Sequence, residues 1–337
     1  MRRRIFLAIA LIFLSLTLGA AEYRDGSLRL VLDADSGRFS IYLLTETNLK
    51  KPQALFSDQD PRTSFLSVFL NDRSYKMGET STFKTRLGGD NNNPSLIFES
   101  PFLAVNMGFS FARTPNSALT NALRITITLE NRADREINVG ARFLLDTNLG
   151  EGSNGFPITT NQRTIATETL IASGDNDRFW TDRNANISLT GSIKTGSAGD
   201  PDSVHIANWK KLSDVTWKAS YQPGRNFNFP PYSVGDTAVC YYFDPRPLGR
   251  LEKRSFGFSL ALNSENLTDS ASAAASEFSD LPMPPTADSR EQDLAALREL
   301  LSRIDEGIAS GAASEEELAA MEFTLNKLRA KYGPPGN

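Results

Sequence analysis

One cysteine and one histidine are all the sequence holds of two side-chain types that serve most often as nucleophiles and metal ligands. Cys240 lies inside the apolar run 238–243 and cannot form an internal disulfide, so it reads as a buried inert thiol. His205 alone excludes every metal site built on two imidazoles. It also leaves Cys-His and Ser-His catalytic pairs without support. The chain has no glycine-rich phosphate loop, no paired-carboxylate motif and no nucleophile elbow. Carboxylates distant in sequence still leave a glycosidase open. Positive charge is not in excess: the formal net charge is -4. Nucleic-acid binding needs clustered Lys and Arg, so that partner class is excluded. Neither cofactor nor metal is expected, and the chain is read as a non-enzyme.

What is present begins with a tripartite N-terminus. Arg2, Arg3 and Arg4 precede the apolar run 5–18, which only Ser15 and Thr17 interrupt. The run is short for a bilayer span, and Gly19, Ala20 and Ala21 offer small residues to a peptidase. Residues 1–21 are therefore expected to be a signal peptide, with an uncleaved anchor as the competing reading. Cleavage takes the formal charge to about -7 and sends the chain to the periplasm or outside the cell. No later apolar run approaches spanning length, so no membrane span is expected after cleavage.

From 27 to 262 the pattern is strand after strand with a period of two. Leu28, Leu30 and Leu32 share one face, and Phe39, Ile41 and Leu43 follow across the turn Asp35-Ser36-Gly37. Leu123, Ile125, Ile127 and Leu129 alternate with Arg124, Thr126, Thr128 and Glu130, which predicts buried and exposed faces. A polar turn at 131–134 then leads to the strand 137–145, and the two read as one antiparallel hairpin. About a dozen strands without crossover helices predict a large antiparallel β-sandwich over 22–262.

Composition shifts at 263–287, a Ser/Ala/Pro-rich linker. Beyond it, Leu294, Leu297, Leu301, Ile304 and Ile308 recur at helical spacing, as do Leu318, Met321, Leu325, Leu328 and Tyr332. Capping boxes at Ser289 and Ser314, with Gly311 between, complete a predicted helical hairpin over 288–332. Two helices hide little surface. Leu301, Phe323 and Leu325 are therefore expected to bind another envelope protein, a second copy, or the sandwich.

Three groups are candidate sites. Asp146, at a strand end, and Asn154, across a glycine-rich loop, suit either loop-holding or the binding of a cation or sugar hydroxyl. Asp175 and Asp177, with Asn176 and Asp182, place hard oxygen ligands in a short loop that suits calcium or simple solvation. Trp180, Trp209, Trp217, Tyr221, Phe227, Phe229 and Tyr232 concentrate aromatics in a loop-rich region. Such rings stack on sugars or anchor interfaces, and equally fill a satellite core where long connections fold over the sandwich.

Two segments carry a resemblance. Val139-Gly140-Ala141-Arg142-Phe143-Leu144-Leu145-Asp146-Thr147, then Gly150, Asn154-Gly155 and Phe156-Pro157, resembles a strand and loop of bacterial exported β-sandwich domains. There the strand ends in Leu-Leu-Asp-Thr and enters a Gly-Asn-Asp-Gly-x-Pro-Phe loop. Here Glu151-Gly152-Ser153 precede Asn154, and the Asp before the second Gly is missing. Tyr241-Tyr242-Phe243-Asp244-Pro245, with Leu248, Gly249, Lys253 and Arg254, is similar to the Tyr-Trp-Asp-Pro strand of the same domains. The resemblance covers about residues 120–262 and implies a supersandwich of galactose-mutarotase-like shape. It implies no activity. Mutarotase chemistry needs histidines beside a carboxylate base, and one histidine weighs against it. The sequence thus points to a non-catalytic envelope protein with a structural or protein-binding role. A carbohydrate-binding or carbohydrate-active protein using the aromatic loops is the alternative.

Overall fold

The computed structural model describes residues 20–44, 53–55, 63–114, 117, 119–147, 149, 156–184, 187–196, 199–230 and 235–263. The chain divides into two units, Met1–Asp280 and Leu281–Asn337, and all described residues belong to the first. The expected helical hairpin 288–332, with Leu301, Phe323 and Leu325, lies outside them. So do residues 1–19 and the linker beyond Asn263.

Among the described residues, eighteen strands form three antiparallel sheets. A four-stranded sheet orders β1 (Ala20–Asp25), β2 (Leu28–Asp33), β3 (Arg38–Leu43) and β4 (Gln53–Ala54). An eight-stranded sheet runs β12 (Thr159–Thr160), β14 (Phe179–Arg183), β15 (Ser188–Ser192), β18 (Lys253–Asn263), β10 (Ala122–Asn131), β9 (Leu103–Ala112), β8 (Pro94–Glu99) and β7 (Lys84–Gly89). A six-stranded sheet runs β13 (Thr169–Ala172), β16 (Ser203–Asn208), β17 (Thr237–Leu248), β11 (Ile137–Asp146), β5 (Phe65–Leu70) and β6 (Arg73–Lys76). One core draws on all three: Leu30 and Phe39, Ile125 and Phe258, Phe143 and Tyr241 belong to the same buried cluster. Each fully buried aliphatic or aromatic side chain contributes roughly 1.5–3 kcal/mol, and this core carries dozens. Between the large sheets, Tyr241 stacks on Phe258 and Phe243 on Phe256, both at 4.2 Å between ring centroids.

The opening hairpin forms as the alternation predicts. Leu32 pairs with Phe39, and Asp33 with Arg38. Gly37 takes a φ of 64° in the turn. The Asp33 carboxylate accepts from the backbone N–H of Asp35 at 2.9 Å and the hydroxyl of Ser36 at 2.6 Å, which fixes the reversal.

Two expectations need correction. Strands β10 and β11 do not form a hairpin: β10 pairs with β9 and β18, whereas β11 pairs with β5 and β17 in the other sheet. The turn at 131–136 carries the chain from one sheet to the other. The physical reason is visible in the strands themselves. β10 alternates, but β11 is buried on both faces from Val139 to Asp146, which a hairpin with a wet face would not allow. The second correction is Arg124, which is buried rather than exposed. Its cross-strand neighbours Ser110 and Ser259 are small, and burial lowers its guanidinium pKa to about 10. Thr126 and Thr128 are half-buried.

Candidate functional site

Strands β11, β16 and β17 have apolar or bulky residues on both faces, so the six-stranded sheet must be covered twice. Val239, Tyr241 and Phe243 enter the main core, while Ala238, Cys240 and Tyr242 join a second cluster on the outer face. Phe65, Leu144, Ala207 and Leu212 complete that cluster, with Trp209 and Ala219 packed against it. Its cover is a six-residue helix, α1 (Trp209–Asp214), followed by the irregular segment 215–230, which lies across the sheet as a strap.

Buried polar side chains hold this cover by its backbone. Arg142 of β11 is 1% exposed and donates to the carbonyls of Leu212 (2.5 Å), Val215 (2.9 Å) and Trp217 (2.8 Å). It thereby satisfies carbonyls at the C-terminal end of α1 that have no helical partner. Asn208 caps the start of α1 by accepting from the N–H of Lys211. Its amide donates to the carbonyls of Phe227 (2.8 Å) and Asp236 (3.1 Å). The Trp209 indole donates to the carbonyl of Thr63 at 2.9 Å.

Glu168, His205 and Lys211 form a buried cluster under the strap. His205 Nε2 lies 2.9 Å from Glu168 Oε1, and Lys211 Nζ donates to both carboxylate oxygens at 2.7 Å. The same Oε1 accepts from the N–H of Gln222 at 2.9 Å, while the Glu168 N–H donates to the carbonyl of Arg225. Burial pushes the Glu168 carboxyl up, but the hydrogen bonds from Lys211, Gln222 and His205 outweigh it and hold the pKa below its ordinary value. Burial lowers the His205 pKa against the opposing pull of Glu168. The cluster thus pairs a carboxylate with an ammonium beside a neutral imidazole. Burial also raises the Cys240 thiol, which lies at the floor of the cover and is not a thiolate.

The predicted aromatic site is only partly assembled. Trp180 is corrected: it sits in β14 of the eight-stranded sheet, fully buried in the main core, and no ligand reaches it. An indole inside a packed interior needs a hydrogen-bond partner, and Tyr241 supplies one. Trp209 and Trp217 are half-buried parts of the cover; Trp217 meets Phe69 at 5.2 Å and Tyr242 at 6.2 Å between centroids. Phe227 packs against the main core, and Phe229 lies under the Arg225 guanidinium at 5.3 Å. Tyr221 alone of the described group stands well in solvent, 44% exposed, its ring edge-on to His205 at 6.0 Å. Tyr232 lies outside the described residues.

The acidic candidates are separated. Asp175 accepts from the N–H of Ala172 at 2.9 Å and closes a turn. Asp177, 3% exposed, binds the Thr160 hydroxyl and, at 2.9 Å, Arg163. Asp182 accepts from Thr147 at 2.5 Å. They hold different loops and do not converge on one point. Among the described residues no group of three or more His, Cys, Asp and Glu is placed to hold a metal ion. Asp146, at the end of β11, is 8% exposed. Burial pushes its pKa up to about 6, with the charge of Asp236 adding and a hydrogen bond to Thr63 opposing. Asn154 lies outside the described residues. Sequence reasoning missed Arg142, Glu168 and Lys211 as a set. The one available signal was Arg142, a charge inside the apolar run 139–145.

Fold and cover together define an antiparallel β-sandwich whose six-stranded sheet is closed on its outer face. The chain is similar to several solved structures at low sequence identity. A galactose mutarotase related enzyme from Lactobacillus acidophilus is 10% identical, covering 73% of this chain and 97% of its own, with a TM-score of 0.48. A galactose mutarotase-like protein from Lactobacillus casei is 9% identical, with 73% and 100% coverage and a TM-score of 0.43. A polysaccharide lyase is 8% identical, covering 72% of this chain and 33% of its own, with a TM-score of 0.40. No protein-family model and no curated protein matches the chain.

Proposed function

We propose that the protein is a non-catalytic binding protein of the cell envelope, acting in the periplasm or outside the cell. The observation that supports this reading is the cover on the six-stranded sheet. An open sheet offers its outer side chains to a ligand; here Arg142, Cys240 and Tyr242 pack under α1 and the strap instead. Arg142 binds three backbone carbonyls and holds no substrate group. The partner is another envelope protein or a second copy of the chain. Affinity capture with the mature chain from envelope extracts, followed by reconstitution with the purified partner, tests the reading. A defined stoichiometric complex is expected. Turnover of a glycoside or sugar anomer by the pure protein, lost on substitution at the covered face, overturns it.

A carbohydrate-binding role is the second reading, favoured by Tyr221. Its exposed ring is followed in the chain by the exposed Gln222, an aromatic face with a polar neighbour that suits a sugar ring. An oligosaccharide array probed with the wild type and with Tyr221→Ala separates the two. Binding that the substitution abolishes establishes the second reading; an empty array removes it.

A further inference from the structure

The strap 215–230 is held to the sheet through its backbone by Arg142, Asn208 and Glu168, and its own side chains are mostly exposed or half-buried. We infer that the strap is an acid-released cover, kept shut by the Glu168–His205–Lys211 cluster and opening from the sheet when His205 takes up a proton.

Glu168 Oε1 serves three donors at once: His205 Nε2, Lys211 Nζ and the N–H of Gln222 in the strap. One negative and one positive charge balance in this space, where Glu168 and His205 side chains are each 1% exposed and that of Lys211 is 8% exposed. A proton on His205 leaves an uncompensated cation there, and an unpaired buried charge is costly. Opening the strap gives the imidazolium water and frees Gln222 from the overloaded oxygen.

The groups facing His205 come from every packed element. They are Glu168 before β13, Lys211 of α1, Tyr221 of the strap and Cys240, its partner on β17. Of these, only Glu168 favours the charged ring. The closed state holds the His205 pKa below its ordinary value, whereas an open strap restores a pKa of about 6.5. The open state therefore binds more protons, and closure weakens as pH falls below about 6.5. Glu168, lowered from 4.5, acts in the same direction at lower pH.

Cys240 is the chain's single thiol and lies beneath the cover, which makes it the reporter. The mature protein is treated with 4,4′-dithiodipyridine from pH 8 to pH 5, with a small free thiol as reference. The referenced rate is expected to rise below about pH 6.5, by up to about tenfold per pH unit, with a urea dependence well below that of global unfolding. His205→Gln keeps an amide donor for Glu168 and abolishes the rise. Exchange of the Gln222 N–H, corrected for intrinsic rates, follows the thiol in the wild type. A flat wild-type rate overturns the inference, as does an unchanged rise in His205→Gln or a urea slope equal to global unfolding. If that variant does not fold, Gln222 decides: protection that persists at pH 5 in folded wild type overturns it.

Discussion

Trp180 donates its indole N–H to the Tyr241 hydroxyl at 2.6 Å, from the eight-stranded sheet to the six-stranded sheet. Both residues are 0% exposed, so neither group has water as a substitute. Burial without that bond is what makes it consequential. Tyr241→Phe leaves the indole donor unsatisfied and is expected to destabilise by about 1–3 kcal/mol in urea unfolding. In the double variant with Trp180→Phe, the two losses should fall short of adding, because the second removes the donor that the first stranded. Strict additivity would mean that the bond contributes nothing.

Gly191 lies against the same ring. A Cβ there would sit 2.3 Å from one ring carbon of Trp180 and 2.4 Å from its nitrogen. The ring is fixed by Tyr241 and by packing on every side, so it cannot turn aside cheaply. Gly191→Ala is expected to cost about 1–3 kcal/mol by overpacking. Trp180→Phe in the same chain should recover part of that loss, measured by the shift in urea midpoint.

Asp146 predicts a pH dependence. Its pKa rises from an ordinary 3.8 to about 6 because burial penalises the charged form. Between those values the folded state binds more protons than the unfolded one. Its stability contribution is therefore present below about pH 3.8 and lost as pH rises through about 6, by about 3 kcal/mol in all. Asp146→Asn removes this loss. The stability difference between variant and wild type should grow in the variant's favour from pH 4 to pH 7. A difference that is constant over that range would show that the carboxyl is not strained.

Much of the sandwich is readable in the sequence because alternation is a local property. Leu28, Leu30 and Leu32 against Phe39, Ile41 and Leu43 define a hairpin whose turn chemistry agrees with it. Pairing partners are not local, and the crossing between β10 and β11 follows from burial on both faces of β11. The run Phe143-Leu144-Leu145 carries that signal, since it does not alternate. Arg124 reads as exposed by its type and position; its burial depends on small residues on two other strands. The covered face is harder still. Glu168, His205 and Lys211 are dozens of positions apart or on different elements, and each alone resembles an ordinary polar residue. Composition groups Trp180 with Trp209 and Trp217 because it counts aromatics without regard to sheet, and the chain sends Trp180 to the opposite sheet.

Asn131 stands where the chain leaves β10 for the other sheet, and it is 0% exposed. Its amide nitrogen meets three carbonyls, those of Arg135 (2.8 Å), Leu248 (2.9 Å) and Gly249 (3.0 Å). Its side-chain oxygen accepts from the N–H of Ala133 at 2.8 Å. The side chain therefore ties the crossing turn to the turn between β17 and β18, using two hydrogens among three acceptors. Asn131→Asp keeps the shape and the accepted bond but replaces the donor with a carboxylate oxygen facing three carbonyls. Asn131→Ala removes both functions without adding charge. If donation to the carbonyls is what holds the crossing, Asp is the more damaging change at pH 7, by about 3–5 kcal/mol against wild type, because it buries an uncompensated anion. Acidification should then narrow the gap between the two variants, as the protonated acid regains one donor. An Asp variant as stable as the Ala variant at pH 7 would mean that the carbonyls are satisfied by other donors and that Asn131 acts only through its oxygen.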